Sequence, residues 1–384
     1  MRICIVSDVL AEENNGTTIA AMNLIRYLKS NGHDVKVICP ETEIHEGEKD
    51  FYFVPKFRFP KLIQNIVDKN NVVIGKVDKK LFKEVMSDCD VVHIMLPLFI
   101  GAKAGKYAKS KLNKPLTVGF HAQAENVSSH IFGLMNSKWF NNAIYRHYYR
   151  SIYKYADCIH YPTKFIQDLF EDIVGKTNGY VISNGVQKIF KRNPVPKPDN
   201  LKGKKIILFI GRLSLEKSHS ILIKAVSKSK YEKDIQLIFA GQGPRLENIQ
   251  KLSKKLLTNQ PIINFYTHEE LVNVINYADL YCHPAEVEIE AISCLEAISC
   301  GLVPVIANSP KCATKNFAID DRSLFEYNNP DSLRDKIDYW FDHKNELDMM
   351  RDKYEKYSVK FDFDVCMKKM EYMLEDAIRK NNEK

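Results

Sequence analysis

Residues 206–217 of the chain read IILFIGRLSLEK, in which five apolar residues are followed by Gly211-Arg212 and then by a helical pattern that continues to about Lys228. An apolar run that ends at a glycine and leads into a helix is typical of one strand, turn and helix of a parallel sheet. Residues 235–243, IQLIFAGQG, begin a second unit of the same kind. This repetition predicts an α/β fold built on parallel sheets.

Units of this kind lie on both sides of a basic, proline-rich segment. The apolar runs that we predict as strands are 2–7, 35–39, 91–95, 116–120, 158–161 and 179–182 before the segment, and 206–210, 235–240, 280–283 and 303–307 after it. The segment itself, 186–204, carries three prolines and six lysines or arginines, as linkers often do. We predict two doubly wound, Rossmann-like domains, 1–185 and 205–358, with the ligand site expected in the cleft between them. A last helix, 359–384, is predicted to return to the first domain.

The composition excludes several classes of protein. The chain has 384 residues, of which 45% are hydrophobic and 27% charged, an ordinary balance for a globular protein of two domains. No apolar run reaches the roughly 18–20 residues that span a bilayer, and the first residues, MRICIVSDV, lack the layout of a signal peptide. We therefore expect a soluble, cytoplasmic protein that at most attaches to a membrane face.

Nine cysteines and a formal net charge of +8 are weaker indications of the protein's compartment and of its partners. The cysteines are scattered through apolar runs without a CxxC pair, so we predict small core residues in a reducing compartment, not disulfides or a zinc site. The histidines lack ligand spacing, and no metal site is expected. A positive charge favours nucleic acid, anionic lipid or nucleotide phosphate as a partner without choosing among them.

The loop GRLSLEK, residues 211–217, is the first candidate for a binding site. It lies where a predicted strand ends and a helix begins, and a helix amino terminus offers free N–H groups and a partial positive charge to a phosphate. Arg212 can add a bidentate contact and Lys217 a point charge. The alternative is a surface loop whose cations are solvated.

Glu288 and Glu296, within EVEIEAISCLEAISCG (286–301), are the second candidate. Eight residues turn a continuous helix through about 800°, which leaves the two carboxylates about 80° apart, so both face one site only if Glu288 precedes the helix. The apolar run around Glu296 predicts a buried helix, in which a carboxylate needs partners. Ribose hydroxyls would serve; the alternative is pairing with a lysine or a backbone amide.

His121 is the third candidate. It follows a predicted strand at the carboxyl edge of the first sheet, where doubly wound folds bind their ligands. The alternative is a satisfied interior histidine, which is common in folded proteins.

Two segments of the first half combine cations with aromatic residues, namely FYFVPKFRFPK (51–61) and KWFNNAIYRHYYRSIYKY (138–155). Such surfaces bind anionic membrane interfaces, and the alternative is an amphipathic helix with a solvated face. The residues that we assign to this membrane or acceptor surface are Lys56, Arg58, Lys61, Trp139, Arg146 and Arg150.

Together these motifs resemble glycosyltransferase family 4, whose members are retaining enzymes of the GT-B fold, with two Rossmann-like domains facing a deep cleft. The stretches that carry the resemblance are SNGV (183–186), LFIGRLSLEK (208–217), FAGQGP (239–244) and the two glutamates followed by AISCGLVPVIA (297–307). Within the family, VPKFRFP and FHAQAENVSSH look like the bacterial branch that glycosylates membrane lipids such as diacylglycerol.

The resemblance implies roles for the candidates. Arg212 and Lys217 would hold the donor diphosphate and Glu296 the donor ribose. Glu288, near the donor sugar or leaving phosphate, and His121, beside the transferred sugar, would be the catalytic residues. The further donor contacts that it implies are Gly16, Gly243, Ile289, Glu290 and Ala291. The family motif E-G-F-G is here Glu288-Ile289-Glu290-Ala291, so the donor loop is expected to differ, because glycine lets a backbone approach a phosphate closely.

The resemblance favours a hexosyltransferase that uses UDP-glucose or UDP-galactose and a lipid acceptor at the inner face of the cell membrane. The first domain would bind the acceptor and the second the nucleotide-sugar, with no cofactor and no required metal. Alternatives on the same fold are a polysaccharide or undecaprenyl-linked acceptor and epimerisation of the sugar nucleotide. An alternative of another class is a non-catalytic, basic protein that binds membrane or nucleic acid. We expect no nucleic-acid partner, and we make no prediction of the oligomeric state.

Overall fold

The computed structural model describes residues 1–10, 16–57, 75–129 and 137–383. They form two compact units, the first of Met1–Asn184 with Cys366–Lys384 and the second of Gly185–Val365. Each unit is built around one sheet whose neighbouring strands are parallel, which confirms the predicted α/β class.

The sheet of the first unit is wound in both directions from its centre. Its strands are β1 (Arg2–Val6), β2 (Asp34–Pro40), β3 (Phe51–Val54), β4 (Val91–Ile94), β5 (Leu116–Gly119), β6 (Cys158–Tyr161) and β7 (Gly179–Val181). They lie in the order β3-β2-β1-β4-β5-β6-β7. The winding direction reverses between β1 and β4, and doubly wound sheets bind ligands at such a switch point.

Helices connect these strands. They include α1 (Gly16–Ser30), α2 (Lys79–Met86), α3 (Phe99–Leu112), α4 (Ala124–Ser129), α5 (Lys138–Ser151) and α6 (Lys164–Val174). Short polar side chains explain where three of them begin: Asp78, Ser137 and Thr163 accept hydrogen bonds from free backbone N–H groups at the starts of α2, α5 and α6.

The second unit repeats this organisation with six strands. They are β8 (Lys205–Ile210), β9 (Ile235–Ala240), β10 (Ile262–Asn264), β11 (Leu280–His283), β12 (Pro304–Ala307) and β13 (Leu324–Phe325). Their order is β10-β9-β8-β11-β12-β13, so the switch point lies between β8 and β11. β8 and β11 are almost wholly buried, which explains why they are continuous apolar runs and not alternating ones.

The helices described after β8 are α7 (His219–Val226), α8 (Leu246–Leu256), α9 (His268–Tyr277), α10 (Ile292–Ser299), α11 (Pro330–Asp342), α12 (Lys344–Ser358) and α13 (Phe363–Asn382). The basic segment before β8 contributes to the core of the same unit through Val186, Phe190 and Leu201, each buried.

From Cys366 onward, α13 belongs to the first unit, where Asp376 anchors it. The hydroxyl of Tyr180 donates to this carboxylate (2.5 Å), and Arg379 and Lys380 pair with it (2.5 and 2.7 Å). Burial alone would raise the pKa of Asp376, but these partners outweigh it and hold the pKa well below its usual range.

All ten strand predictions are confirmed, each within one residue at either end. The prediction for residues 51–61 is wrong in part: Phe51 and Val54 are buried in β3 and do not belong to a membrane-facing surface. All nine cysteines are free and buried, as predicted. No helix in the described parts of the chain has the length and apolar character needed to cross a membrane.

Candidate active site

Both strands beside the switch point of the second unit lead into loops that carry predicted site residues. β8 ends at Ile210 and passes directly into the loop 211–217, and β11 ends at His283 and leads into the loop that carries Glu288. The hydroxyl of Ser293, in the first turn of α10, donates to the carbonyl of Ile210 (3.2 Å). The candidate residues of this unit therefore share one edge of the sheet.

Glycines let the loops after β8 and β9 pack backbone against backbone. A β-carbon on Gly241 would lie 2.1 Å from the carbonyl oxygen of Gly211, and one on Gly243 would lie 2.6 Å from that of Leu213. The N–H of Arg245 also donates to the carbonyl of Leu213 (2.9 Å). The packing of the loop 211–217 therefore requires Gly243, the predicted donor contact, whatever else that residue touches.

Lys217 and Glu288 form an ion pair at this edge, with side chains only 16% and 15% exposed. Burial disfavours both charges, but the attraction between the partners outweighs it. The pKa of Lys217 is raised and the pKa of Glu288 is lowered to about 2. Both groups are charged at neutral pH, and Lys217 is not the solvated surface cation of the alternative interpretation.

Arg212, unlike Lys217, is not paired with a carboxylate in the part of the chain that the structure describes. Its side chain is half-buried, and no residue that the structure describes forms a hydrogen bond or an ion pair with its guanidinium group. A cation in this state attracts an incoming anion without first having to release a carboxylate.

Glu296 lies on α10 and is buried, with 8% of its surface exposed. Burial raises its pKa to about 7. Neither a lysine nor a backbone amide among the described residues bonds to it, so the alternative partners considered for this carboxylate are not there. Since α10 begins at Ile292, Glu288 does precede the helix, which is the condition for both carboxylates to face one site.

The loop between Glu288 and α10 has a left-handed turn without a glycine. Ala291, at the position of the second family glycine, has φ 63° and ψ 71°. This conformation costs an alanine about 1–2 kcal/mol, so the surrounding structure has to impose it. Ile289 is half-buried and Glu290 is buried, with 4% exposed.

The segment after β12 supports this loop from the other side. The Ser309 hydroxyl donates to the Glu286 carbonyl (2.6 Å), and Lys311 pairs with the Glu286 carboxylate (2.9 Å). The N–H of Ala313 donates to the carbonyl of Glu288 (2.9 Å). Sequence spacing could not reveal these contacts, because the partners are more than twenty residues apart.

In the first unit, His121 follows β5 at the carboxyl edge of the sheet. Its ring lies 5.3 Å from that of His160, and burial, with His160 and His93 nearby, holds its pKa well below the usual value. No described residue bonds to its Nε2. A neutral imidazole can exchange hydrogen bonds with a sugar hydroxyl, but it cannot supply a positive charge. The sequence held no sign of the neighbouring His93 and His160.

The other predicted residues of the first unit lie at its surface wherever the structure describes them. The ones that are exposed are Gly16 at the start of α1, Lys56 after β3, and Trp139, Arg146 and Arg150 on α5. Arg58 and Lys61 lie outside the described residues.

Two family models match consecutive parts of the chain. Residues 14–188 match Glycosyltransferase Family 4, and residues 191–358 match Glycosyl transferases group 1. The chain belongs to glycosyltransferase family 4. The predicted family and the predicted hexosyltransferase class are thereby confirmed.

Relatives of this glycosyltransferase include a mannosyltransferase and a synthase of a glucosylated lipid. The GDP-mannose-dependent alpha-mannosyltransferase of Corynebacterium glutamicum is 26% identical over 322 residues, 80% of this chain and 72% of that protein. The alpha-monoglucosyldiacylglycerol synthase of Streptococcus pneumoniae is 21% identical over 321 residues, 80% of this chain and 71% of that protein.

A solved structure shows the shared fold. Anabaena HepE in complex with UDP superposes on the glycosyltransferase with a TM-score of 0.76 at 14% identity, covering 98% of this chain and 100% of that one. At this identity the likeness concerns the fold alone.

Proposed function

We propose that this glycosyltransferase moves a hexose, with retention of configuration, from UDP-glucose or UDP-galactose to a hydroxyl of a membrane lipid such as diacylglycerol. The observation that carries the proposal is the grouping of Arg212, Lys217, Glu288 and Glu296 around one switch point. Two cations suit a diphosphate, and a buried carboxylate that no described residue bonds to suits a vicinal diol. A nucleotide-sugar carries both groups.

The donor nucleotide is a choice between two candidates. The HepE structure contains UDP, whereas the Corynebacterium relative depends on GDP-mannose. A ribose contact through Glu296 would serve either nucleotide, because both carry the same diol. We favour a UDP-sugar, and GDP-mannose is the second candidate that the relatives support.

The proposed chemistry needs charge stabilisation more than it needs a base. The bond from the sugar C1 to the diphosphate breaks, a bond from C1 to the acceptor oxygen forms on the same face, and the acceptor proton passes to the leaving phosphate. Lys217 and Arg212 would stabilise the departing negative charge, so no metal is required in this scheme. His121 would orient the sugar through hydrogen bonds.

Purified protein supplied with radiolabelled UDP-glucose, UDP-galactose or GDP-mannose and a membrane lipid extract tests the proposal. We expect a labelled lipid from a UDP-sugar, in the presence of a metal chelator, and none from Arg212→Ala. Labelled product from GDP-mannose alone would show that GDP-mannose, and not a UDP-sugar, is the donor. Label in oligosaccharide instead of lipid would show that the acceptor is a saccharide. Conversion of the UDP-sugar without an acceptor would indicate an epimerase.

The solvent-facing side of α5 supports the proposal of a lipid acceptor. Trp139, with 78% of its surface exposed, shares this side with Arg146 and Arg150, while Tyr145 and Tyr148 face the core. An exposed tryptophan beside cations is typical of a helix that lies at an anionic membrane interface. We propose that α5 docks the enzyme on the membrane that holds its acceptor.

Replacing Arg146 and Arg150 by glutamine should weaken binding to vesicles of phosphatidylglycerol and phosphatidylcholine by roughly 30-fold, since each cation near an anionic surface contributes about 1 kcal/mol. Vesicle co-sedimentation measures the loss. The matched control is Lys251→Gln with Lys254→Gln on α8, which changes the net charge equally at exposed positions. Equal losses in both pairs would show that only total charge matters, and α5 would not be the docking helix.

A further inference from the structure

We propose that His283 is a positioning residue for Glu288. When the donor diphosphate engages Lys217, the Nε2–H of His283 donates a hydrogen bond to the Glu288 carboxylate. This inference rests on the proposed function, because it assumes that Lys217 binds the diphosphate. It adds a residue that no motif of the sequence indicated.

His283 lies at the carboxyl end of β11 and is completely buried. Its Nε2 is 3.5 Å from Oε1 of Glu288, the same oxygen that pairs with Lys217. At this distance the two atoms are not hydrogen-bonded, and no other group in the described ranges bonds to this nitrogen. A small movement of the carboxylate toward the ring would complete the bond.

The other side of the ring is already fixed. Nδ1 of His283 lies 3.0 Å from the hydroxyl of Tyr281, which in turn lies 3.3 Å from the hydroxyl of Ser293. The ring of Phe209 is nearly parallel to the imidazole, with an interplanar angle of 18°. These neighbours fix the imidazole so that Nε2 stays beside Glu288.

The surroundings also select the tautomer. An unprotonated Nε2 would place its lone pair against the Glu288 carboxylate, and the two would repel. The Nε2–H tautomer removes this repulsion and leaves Nδ1 free to accept from the hydroxyl of Tyr281. Burial lowers the pKa of His283, which keeps the ring neutral with this single proton.

Donor binding creates the need for a second partner. A diphosphate near Lys217 competes for its ammonium group and repels the Glu288 carboxylate. A buried carboxylate that loses its cation is unfavourable unless another donor satisfies it. Of the described residues around Oε1, His283 offers an N–H that is not already in use.

Two substitutions separate positioning from packing. His283→Phe removes the donor but keeps a ring, and His283→Gln keeps an N–H near the position of Nε2. We expect His283→Phe to lower kcat by roughly 10- to 100-fold, because a misplaced active-site group can cost that much. The donor KM and the UDP Kd should stay within about threefold, since the contacts to ribose and diphosphate remain. His283→Gln should recover most of kcat.

A packing role alone predicts a different pattern, in which both variants lose thermal stability and kcat together. If kcat of a folded His283→Phe equals that of wild type, or if His283→Gln is as slow as His283→Phe at equal stability, the proposal is overturned.

An NMR experiment that needs no catalytic turnover distinguishes failure of this inference from failure of the proposed function. In protein with ¹⁵N-labelled histidine, the His283 resonance is the one missing from His283→Gln. We expect UDP to shift its Nε2–H signal in wild type. Binding of UDP that leaves this signal unmoved contradicts the positioning role, even if wild type transfers no sugar from any donor tested.

Discussion

Replacing Lys217 by methionine is expected to lower kcat/KM for glycosyl transfer by about 10²- to 10³-fold, the usual loss when one group that stabilises developing charge is removed. The loss should fall mainly on kcat, because negative charge on the leaving phosphate grows as the sugar departs. Steady-state kinetics with the UDP-sugar that wild type uses measures both terms.

The same substitution should destabilise the second unit. It leaves Glu288, only 15% exposed, without the cation that holds its pKa at about 2. Breaking a buried pair by removing one partner costs about 3–5 kcal/mol. Denaturant unfolding of the single variant and of Lys217→Met with Glu288→Gln tests this, since the second change removes the stranded charge. We expect the double variant to regain stability and not activity; a double variant that regains activity would show that Lys217 has no role beyond the pair.

Replacing Glu296 by alanine is expected to weaken UDP binding by about 10- to 100-fold, because each hydrogen bond to a charged group contributes about 1.5–3 kcal/mol. Titration calorimetry with UDP measures the change. Unchanged UDP affinity in Glu296→Ala would show that Glu296 does not bind the ribose.

The affinity of the wild type should also depend on pH with a definite sign. The pKa of Glu296 is raised to about 7, so below that pH the group is largely a neutral acid, and above it a carboxylate that can accept from both ribose hydroxyls. The ratio of wild-type to Glu296→Gln affinity should therefore rise by about tenfold between pH 6 and pH 8. Taking the ratio cancels the titration of UDP itself, and a flat ratio would contradict the role.

The strands at the centre of each sheet could be predicted from the sequence, because a fully buried parallel strand is a continuous apolar run. β8 and β11 are examples. β10 and β13 could not, since three and two residues carry too little pattern. β3 was mistaken for surface because its aromatic residues stand beside cations, although Phe51 and Val54 are buried.

The candidate site could be predicted where a residue belongs to a local motif. Arg212, Lys217 and the pair Glu288 and Glu296 stand at fixed distances from a strand end or a helix start. His283 was not predictable, because its significance lies in a distance to Glu288 that only the folded loop creates. The letters EAISC occur twice in this stretch, at 290–294 and 296–300. The first copy straddles the loop and the start of α10, so Glu290 and Glu296 occupy unlike places.

The activity that we propose is the transfer of a hexose to a membrane lipid by the residues at the second unit's switch point. Mass spectrometry of the lipids from cells that express the protein tests this most directly, with cells that express Arg212→Ala at the same level as the control. We predict a lipid bearing one added hexose in the first cells and its absence in the second. The same lipid profile in both would contradict the account.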